Sequence, residues 1–165
     1  MRPVNPDSWF AGRRRNAPPT GFSLLELVVV LALAALLLGL VLPSYSNYSS
    51  DQRTLMTART LAADLRVAQQ EAVTRRAPVS VAFWPSDASC GGLSAYTISQ
   101  ESVVIKRTCF PSDVEWAPLP AKWLSFESNG AVAAGASLVV RSARTDRRHA
   151  VTVRAETGTI TDDTR

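Results

Sequence analysis

From Leu27 to Leu42 the chain carries no polar side chain, and between Phe22 and Leu27 only Ser23 and Glu26 interrupt the apolar run. At 1.5 Å per residue, a helix over 22–42 is roughly 30 Å long, about the thickness of a bilayer core. The next stretch, 44–50, turns to Ser, Tyr and Asn. Tyr45 and Tyr48 suit a membrane–water boundary. Between Asp51 and Arg76 the pattern becomes periodic. Ala58, Leu61, Ala62, Leu65, Ala68 and Ala72 recur at spacings of three and four, which puts them on one helical face. Arg53, Arg59, Arg66 and Gln70 fall mostly elsewhere. Pro78 ends the pattern, because the residue before a proline is pushed out of the helical region. The spacing therefore predicts one long helix from near Phe22 to near Arg76, bent or loosened at Pro43. Its first half is greasy all round. Its second half has one apolar face that must pack on something.

Beyond Ala77 the period changes to two. Alternating segments at 79–84, 96–99, 103–109, 124–126, 138–142 and 151–154 read as short strands. Turn residues separate them: Pro85, Gly91-Gly92, Pro111, Pro118, Pro120, Asn129-Gly130, Gly135 and Gly158. Strands joined by turns, without intervening helices, imply an antiparallel sheet or sandwich that the amphipathic helix covers on one face. The expected fold class is α+β. A long N-terminal transmembrane-plus-amphipathic helix packs on a C-terminal antiparallel β domain.

Charge adds a direction. Arg13, Arg14 and Arg15 precede the apolar run and no basic cluster comes closely after it, so the positive-inside bias keeps the N-terminus cytoplasmic and exports the chain beyond Pro43. The whole chain has 18 basic and 14 acidic residues, a net of +4. Arg2, Arg13, Arg14 and Arg15 against Asp7 hold most of that excess, so the region after Gly21 is near neutral and carries no nucleic-acid footprint by net charge. Glu26 is the outlier. A carboxylate inside a membrane helix costs roughly 2.5–3.5 kcal/mol on insertion scales, so it calls for a partner or an interfacial position.

Gly21-Phe22-Ser23-Leu24-Leu25-Glu26, leading into the apolar run, resembles the class III signal of type IV prepilins and type II secretion pseudopilins. The resemblance implies cleavage between Gly21 and Phe22 by a membrane-embedded prepilin peptidase, then N-methylation of Phe22. It implies a filament role for Glu26, paired with the N-terminal amine of a neighbouring subunit, and it matches Pro43 as a helix proline of that family. A secretory signal peptide fits less well. The apolar run exceeds the usual 7–15 residues, and the Pro-Ser-Tyr-Ser after it offers no Ala-x-Ala-like site. An ordinary single-pass anchor explains the hydrophobicity but not the Gly-Phe-x-x-x-Glu register. Further along, 61–73 with Arg75-Arg76-Ala77-Pro78-Val79 resembles the helix-to-strand passage of the GspH/FimT family. Leu124 to Gly130 is similar to that family's Phe-x-x-x-Gly turn, and 149–153 running into Thr157-Gly158-Thr159-Ile160 to its closing strands. The implied organisation is a cleaved leader over 1–21, a transmembrane and filament-core helix over 22–43, an amphipathic periplasmic helix over 44–77 and a β-rich domain over 78–165.

Cys90 and Cys109 both fall on the exported side, where an oxidising compartment permits a bridge. A closed loop of about 20 residues stabilises by roughly 3 kcal/mol in the chain-entropy model. Free thiols are the alternative. Two cysteines and the single His149, with no local spacing to join them, make a poor metal site. No nucleophile elbow, zinc-binding helix or phosphate loop is present, and His149 reads as a solvated strand-edge residue, so no catalytic residue and no cofactor are assigned. Some FimT-type minor pilins bind DNA through a C-terminal Gly-Arg-x-Arg. Here Gly158-Thr159-Ile160-Thr161 lacks those arginines. Arg141, Arg144, Arg147, Arg148 and Arg154 are close in sequence and would make a weak DNA or partner patch if they shared a face. A solvated hairpin is preferred, and nucleic acid is a disfavoured partner. The resulting expectation is a non-enzymatic minor pseudopilin of a type II secretion pseudopilus, anchored in the bacterial inner membrane. A FimT/FimU-like minor pilin of a type IV pilus is the alternative. The implied partners are the prepilin peptidase and other pilins or pseudopilins.

Overall fold

The computed structural model describes residues 23–163, with 40–44 described as backbone only. One helix, α1, runs over Leu24–Arg75. Eight strands come after it: β1 (Val79–Asp87), β2 (Leu93–Gln100), β3 (Val103–Cys109), β4 (Val114–Trp116), β5 (Trp123–Phe126), β6 (Ala136–Ser142), β7 (Arg148–Val153) and β8 (Ile160–Asp163). The chain divides into two compact units, Met1–Leu40 and Val41–Arg165.

In the first unit every leucine and valine from Leu24 to Leu38 is exposed, Leu24 to 79 %. Among the described residues no helix is long and apolar enough to cross a membrane. The run expected to do so has Phe22 outside the described residues and 40–42 described without side chains.

In the second unit the periodic face behaves as its spacing predicts. Ala58, Leu61, Ala62, Leu65, Ala68 and Ala72 are all buried in one core with residues of both sheets. Four of the six are alanines, which let the helix lie close to the sheets. The buried stripe reaches back to Ser50 and Thr54, two polar residues that periodicity of apolar positions does not count. They are admitted because they are satisfied: Thr54 Oγ1 donates to the Ser50 carbonyl at 3.0 Å, and the Ser50 and Ser142 hydroxyls meet at 2.9 Å. The helix stops at a Schellman cap. Ala77 N–H donates to Ala72 O and Arg76 N–H to Val73 O, with Arg76 left-handed at φ 52°.

The strands form two four-stranded antiparallel sheets, β3-β2-β1-β5 and β4-β6-β7-β8. Their inner faces supply Val79, Val81, Phe83, Tyr96, Ile98, Leu138, Val140, Val151 and Val153 to the core. Phe110 and Trp116 pack at a tilt with ring centres 4.7 Å apart, and Phe83 meets Trp116 edge-on at 5.4 Å. β4 is too short to show alternation and is not legible in the sequence. Cys90 and Cys109 are joined in a disulfide that ties the turn after β1 to the end of β3.

The structure corrects the reading of His149. It is not a solvated edge residue but 7 % exposed, on β7 between β6 and β8. His149 is two residues from Val151 and four from Val153, so strand alternation puts all three on the same inward face. Its flanking polar sequence hid that alternation.

Candidate functional site

The features expected to matter for filament assembly lie at the start of α1. Gly21 and Phe22 fall outside the described residues. Glu26 lies exposed in the first helical turn, where a carboxylate also complements the helix dipole. Leu27 N–H donates to the Ser23 carbonyl at 3.2 Å, so the helix is hydrogen-bonded from its first turn. Pro43 lies inside α1, with helix on both sides of it.

Three clamps hold the second half of α1 to the sheets. The first is Asp64, a buried carboxylate that accepts from the Tyr96 hydroxyl and from Lys106 Nζ, each at 2.7 Å. Burial raises the Tyr96 hydroxyl pKa above its ordinary value and Asp64 adds to the shift, so the phenol stays a donor. The second clamp is Gln69, whose amide donates to Gly130 O at 2.8 Å and to Thr157 O at 3.4 Å. It pins two turns at once. Gly130 and Gly158 are both left-handed, and a Cβ on Gly158 would sit 2.2 Å from Gly130 O. No side chain fits there, which gives a physical reason for glycine at both turns that carry the family resemblance. The third clamp is the β6–β7 turn. Asp51 accepts from Thr145 Oγ1 and pairs with Arg147 at 3.2 Å, beside the Ser50–Ser142 contact.

The five arginines do not form one patch. Arg141 and Arg148 are cross-strand partners on the outer face, and both are neutralised locally. Arg141 pairs with Glu115 and Asp146, and Glu115 above all raises its pKa. Arg148 pairs with Asp146 at 3.0 Å. Arg147 turns to Asp51 on the helix. Arg154 lies just past the far end of β7. Arg144 and Arg154 make no ion pair among the described residues. The acids responsible are mostly distant in sequence, which is why the run of arginines looked freer than it is. Sequence reading also missed Asp64 and Gln69; polar residues inside or beside a buried helical stripe were the available signal.

Among the described residues no group of three or more His, Cys, Asp or Glu side chains could hold a metal ion. The exposed apolar surface of the second unit includes Val103, Val104 and Ile105 on β3, an edge strand, and Trp84 and Trp123 on β1 and β5. Exposed apolar surface of this kind is characteristic of sites that contact other proteins.

A family model described as type II transport protein GspH matches residues 57–158, from the amphipathic half of α1 to the second pinned glycine. The chain belongs to the GspH family. Two solved structures share its fold. The type IV minor pilin FimU of Pseudomonas aeruginosa superposes with a TM-score of 0.54 at 15 % identity, covering 70 % of this chain and 92 % of that one. The minor pseudopilin EpsH from the type 2 secretion system of Vibrio cholerae gives a TM-score of 0.50 at 18 % identity, covering 67 % and 95 %. No curated protein matches the chain. The GspH chain thus has the pilin-like α+β architecture expected from its sequence, a long N-terminal helix on antiparallel sheets.

Proposed function

We propose that this GspH-family protein is a minor pseudopilin, a structural subunit of a type II secretion pseudopilus that supports protein export across the outer membrane. The observation that carries the reading is the joining of two unlike parts: an all-exposed apolar helix with a single acid, Glu26, in its first turn, and a domain of the GspH family. An apolar surface of that extent needs a lipid or protein environment. In this reading the prepilin peptidase cuts between Gly21 and Phe22, and Phe22 is N-methylated. Residues 22–43 hold the subunit in the inner membrane with the N-terminus cytoplasmic and the β domain periplasmic. On assembly the helix moves into the filament core, where Glu26 is neutralised by a neighbour's amine. No chemistry is assigned to the domain.

A second reading, a minor pilin of a type IV pilus, is favoured by the likeness to FimU, which extends over slightly more of the chain than that to EpsH. DNA binding has less support, because Arg141, Arg147 and Arg148 are already paired with acids. A deletion strain scored in parallel for enzyme secretion, surface pili and DNA uptake tests the choice. Loss of secreted enzymes with pili intact is expected. Loss of pili or of transformation with secretion intact would replace the first reading by the second.

A further inference from the structure

Three of the four sheet edges are short. β4, β5 and β8 have three or four residues each, and Val132 bridges to Phe126 at the end of β5. β3 is the exception. It has seven residues, pairs with β2 alone and is exposed over most of its length. Phe110 N–H donates to Ser94 O, and antiparallel pairs alternate between bonded and non-bonded. Thr108 and Tyr96 are therefore a bonded backbone pair, and the backbone groups of Arg107 and Cys109 point to the open edge. Those groups have no partner among the described residues. A long open edge is a template for another strand.

A groove of about 390 Å³ runs beside this edge, between β3 and α1. Gln52, Arg53, Met56 and Thr60 line it from the helix, and Thr108 and Pro111 from the strand side. An edge strand with a helix alongside takes an extended peptide well: backbone bonds hold the peptide, and alternate side chains enter the groove. The lining is mostly apolar, so the side chain at its centre is apolar. Charge sets the flanks. Arg53 pairs with Asp113 at 3.6 Å. Lys106, the next inward residue of β3 after Thr108, pairs at 2.7 Å with Asp64, which is one helical turn beyond Thr60. The two bases are 58 % and 49 % exposed and their acids 11 % and 10 %, so an incoming chain meets the cations first. Residues two apart on a strand share a face at roughly 7 Å, which brings an acid on either side of the apolar residue toward Arg53 and Lys106. No two acidic residues of this chain stand four apart, so a second copy does not supply the pattern. Two antiparallel β3 strands would also bring their Lys106 and Arg107 side chains together.

We propose that the open edge of β3 takes up an extended segment of a different protein as an added strand, its apolar side chain in the groove and an acidic residue two positions away on each side. The contact goes beyond the proposed function and holds equally for a pilus subunit. All of its residues lie in the second unit.

The test is fluorescence anisotropy of a labelled peptide, Thr-Glu-Thr-Val-Thr-Glu-Thr, titrated with the full chain in detergent. Saturable binding is expected, weakened about tenfold when either glutamate becomes glutamine, the size of one charge-assisted hydrogen bond. Met56→Glu, at an exposed helix position, should abolish binding by putting a like charge in the groove. Arg107→Pro should abolish it by removing an open N–H while leaving the ladder to β2. The peptide carries a second test that leaves the protein intact. N-methylation of the threonines and N-methylation of the Glu, Val and Glu set should differ, since only one set turns its N–H groups to β3. Absence of saturable binding, equal binding of a scrambled peptide of the same charge, full binding by Met56→Glu, or tolerance of both N-methylated sets would overturn the proposal. None of these outcomes bears on secretion or piliation, so the proposed function stands or falls separately.

Discussion

The two ends of α1 obey different rules. From Leu24 to Leu38 every leucine and valine is exposed, and no face differs from another. From Ser50 to Ala72 one face is buried, four of its residues alanine, and Asp64 is the one charged side chain buried with it. The second part is a helix whose partner is its own chain. The first buries no leucine or valine among the described residues. Apolar surface exposed at roughly 25 cal/mol per Å² is a free-energy deficit that only another environment can remove. In the proposed function, the contrast marks where folding ends and insertion or assembly begins.

The largest expected effect breaks this contrast directly. Leu65→Ala, in the buried stripe, should cost about 2–5 kcal/mol of domain stability by lost burial and cavity formation. Leu31→Ala, in the exposed run, should leave domain unfolding unchanged. Denaturant melts of the two variants check this, and similar losses would mean that the exposed run is part of the same core. Reduction of Cys90–Cys109, which are 19 residues apart, should come next, at about 3 kcal/mol by the loop-entropy argument, read as a lower midpoint in reductant. Asp64→Ala should cost about 1–3 kcal/mol, because it strands the buried Tyr96 hydroxyl; a conservative Tyr96→Phe in the same background should recover part of the loss.

The smallest effect is a pH dependence. Burial, with Arg147 and Arg59 adding to it and Asp51 opposing, lowers the His149 pKa below the usual 6.5. The unfolded chain therefore takes up the proton first as pH falls. Stability from the neutral ring is fully present above 6.5 and declines as pH drops through that value toward the lower folded one. His149→Gln should flatten this part of the stability–pH curve; an unchanged slope would assign it to other groups.

The helical face and most strands were legible because apolar spacing reports burial directly. Ala58 through Ala72 alone define the packing side of α1. What stayed hidden was polar burial. Ser50, Thr54, Asp64 and His149 are interior only because partners elsewhere in sequence satisfy or enclose them, and pattern reading treats such residues as surface. The ion pairs of the arginine run stayed hidden for the same reason. Arg141, Arg147 and Arg148 pair with Asp51, Glu115 and Asp146, and only the fold brings Asp51 and Glu115 near. Of the N-terminal site, the Gly21-Phe22-x-x-x-Glu26 register was legible as a motif. Its meaning depends on a peptidase and a neighbouring subunit, so it cannot be read from packing within one chain.

The central claim is that the apolar end of α1 is made for a processed filament subunit. Intact-mass and N-terminal peptide analysis of the protein recovered from its native membranes tests it most directly, alongside a Gly21→Val variant. The account predicts a chain beginning at N-methylated Phe22 in the wild type and an uncut chain in the variant. An intact leader in the wild type, or a chain beginning at Phe22 in Gly21→Val, would contradict it.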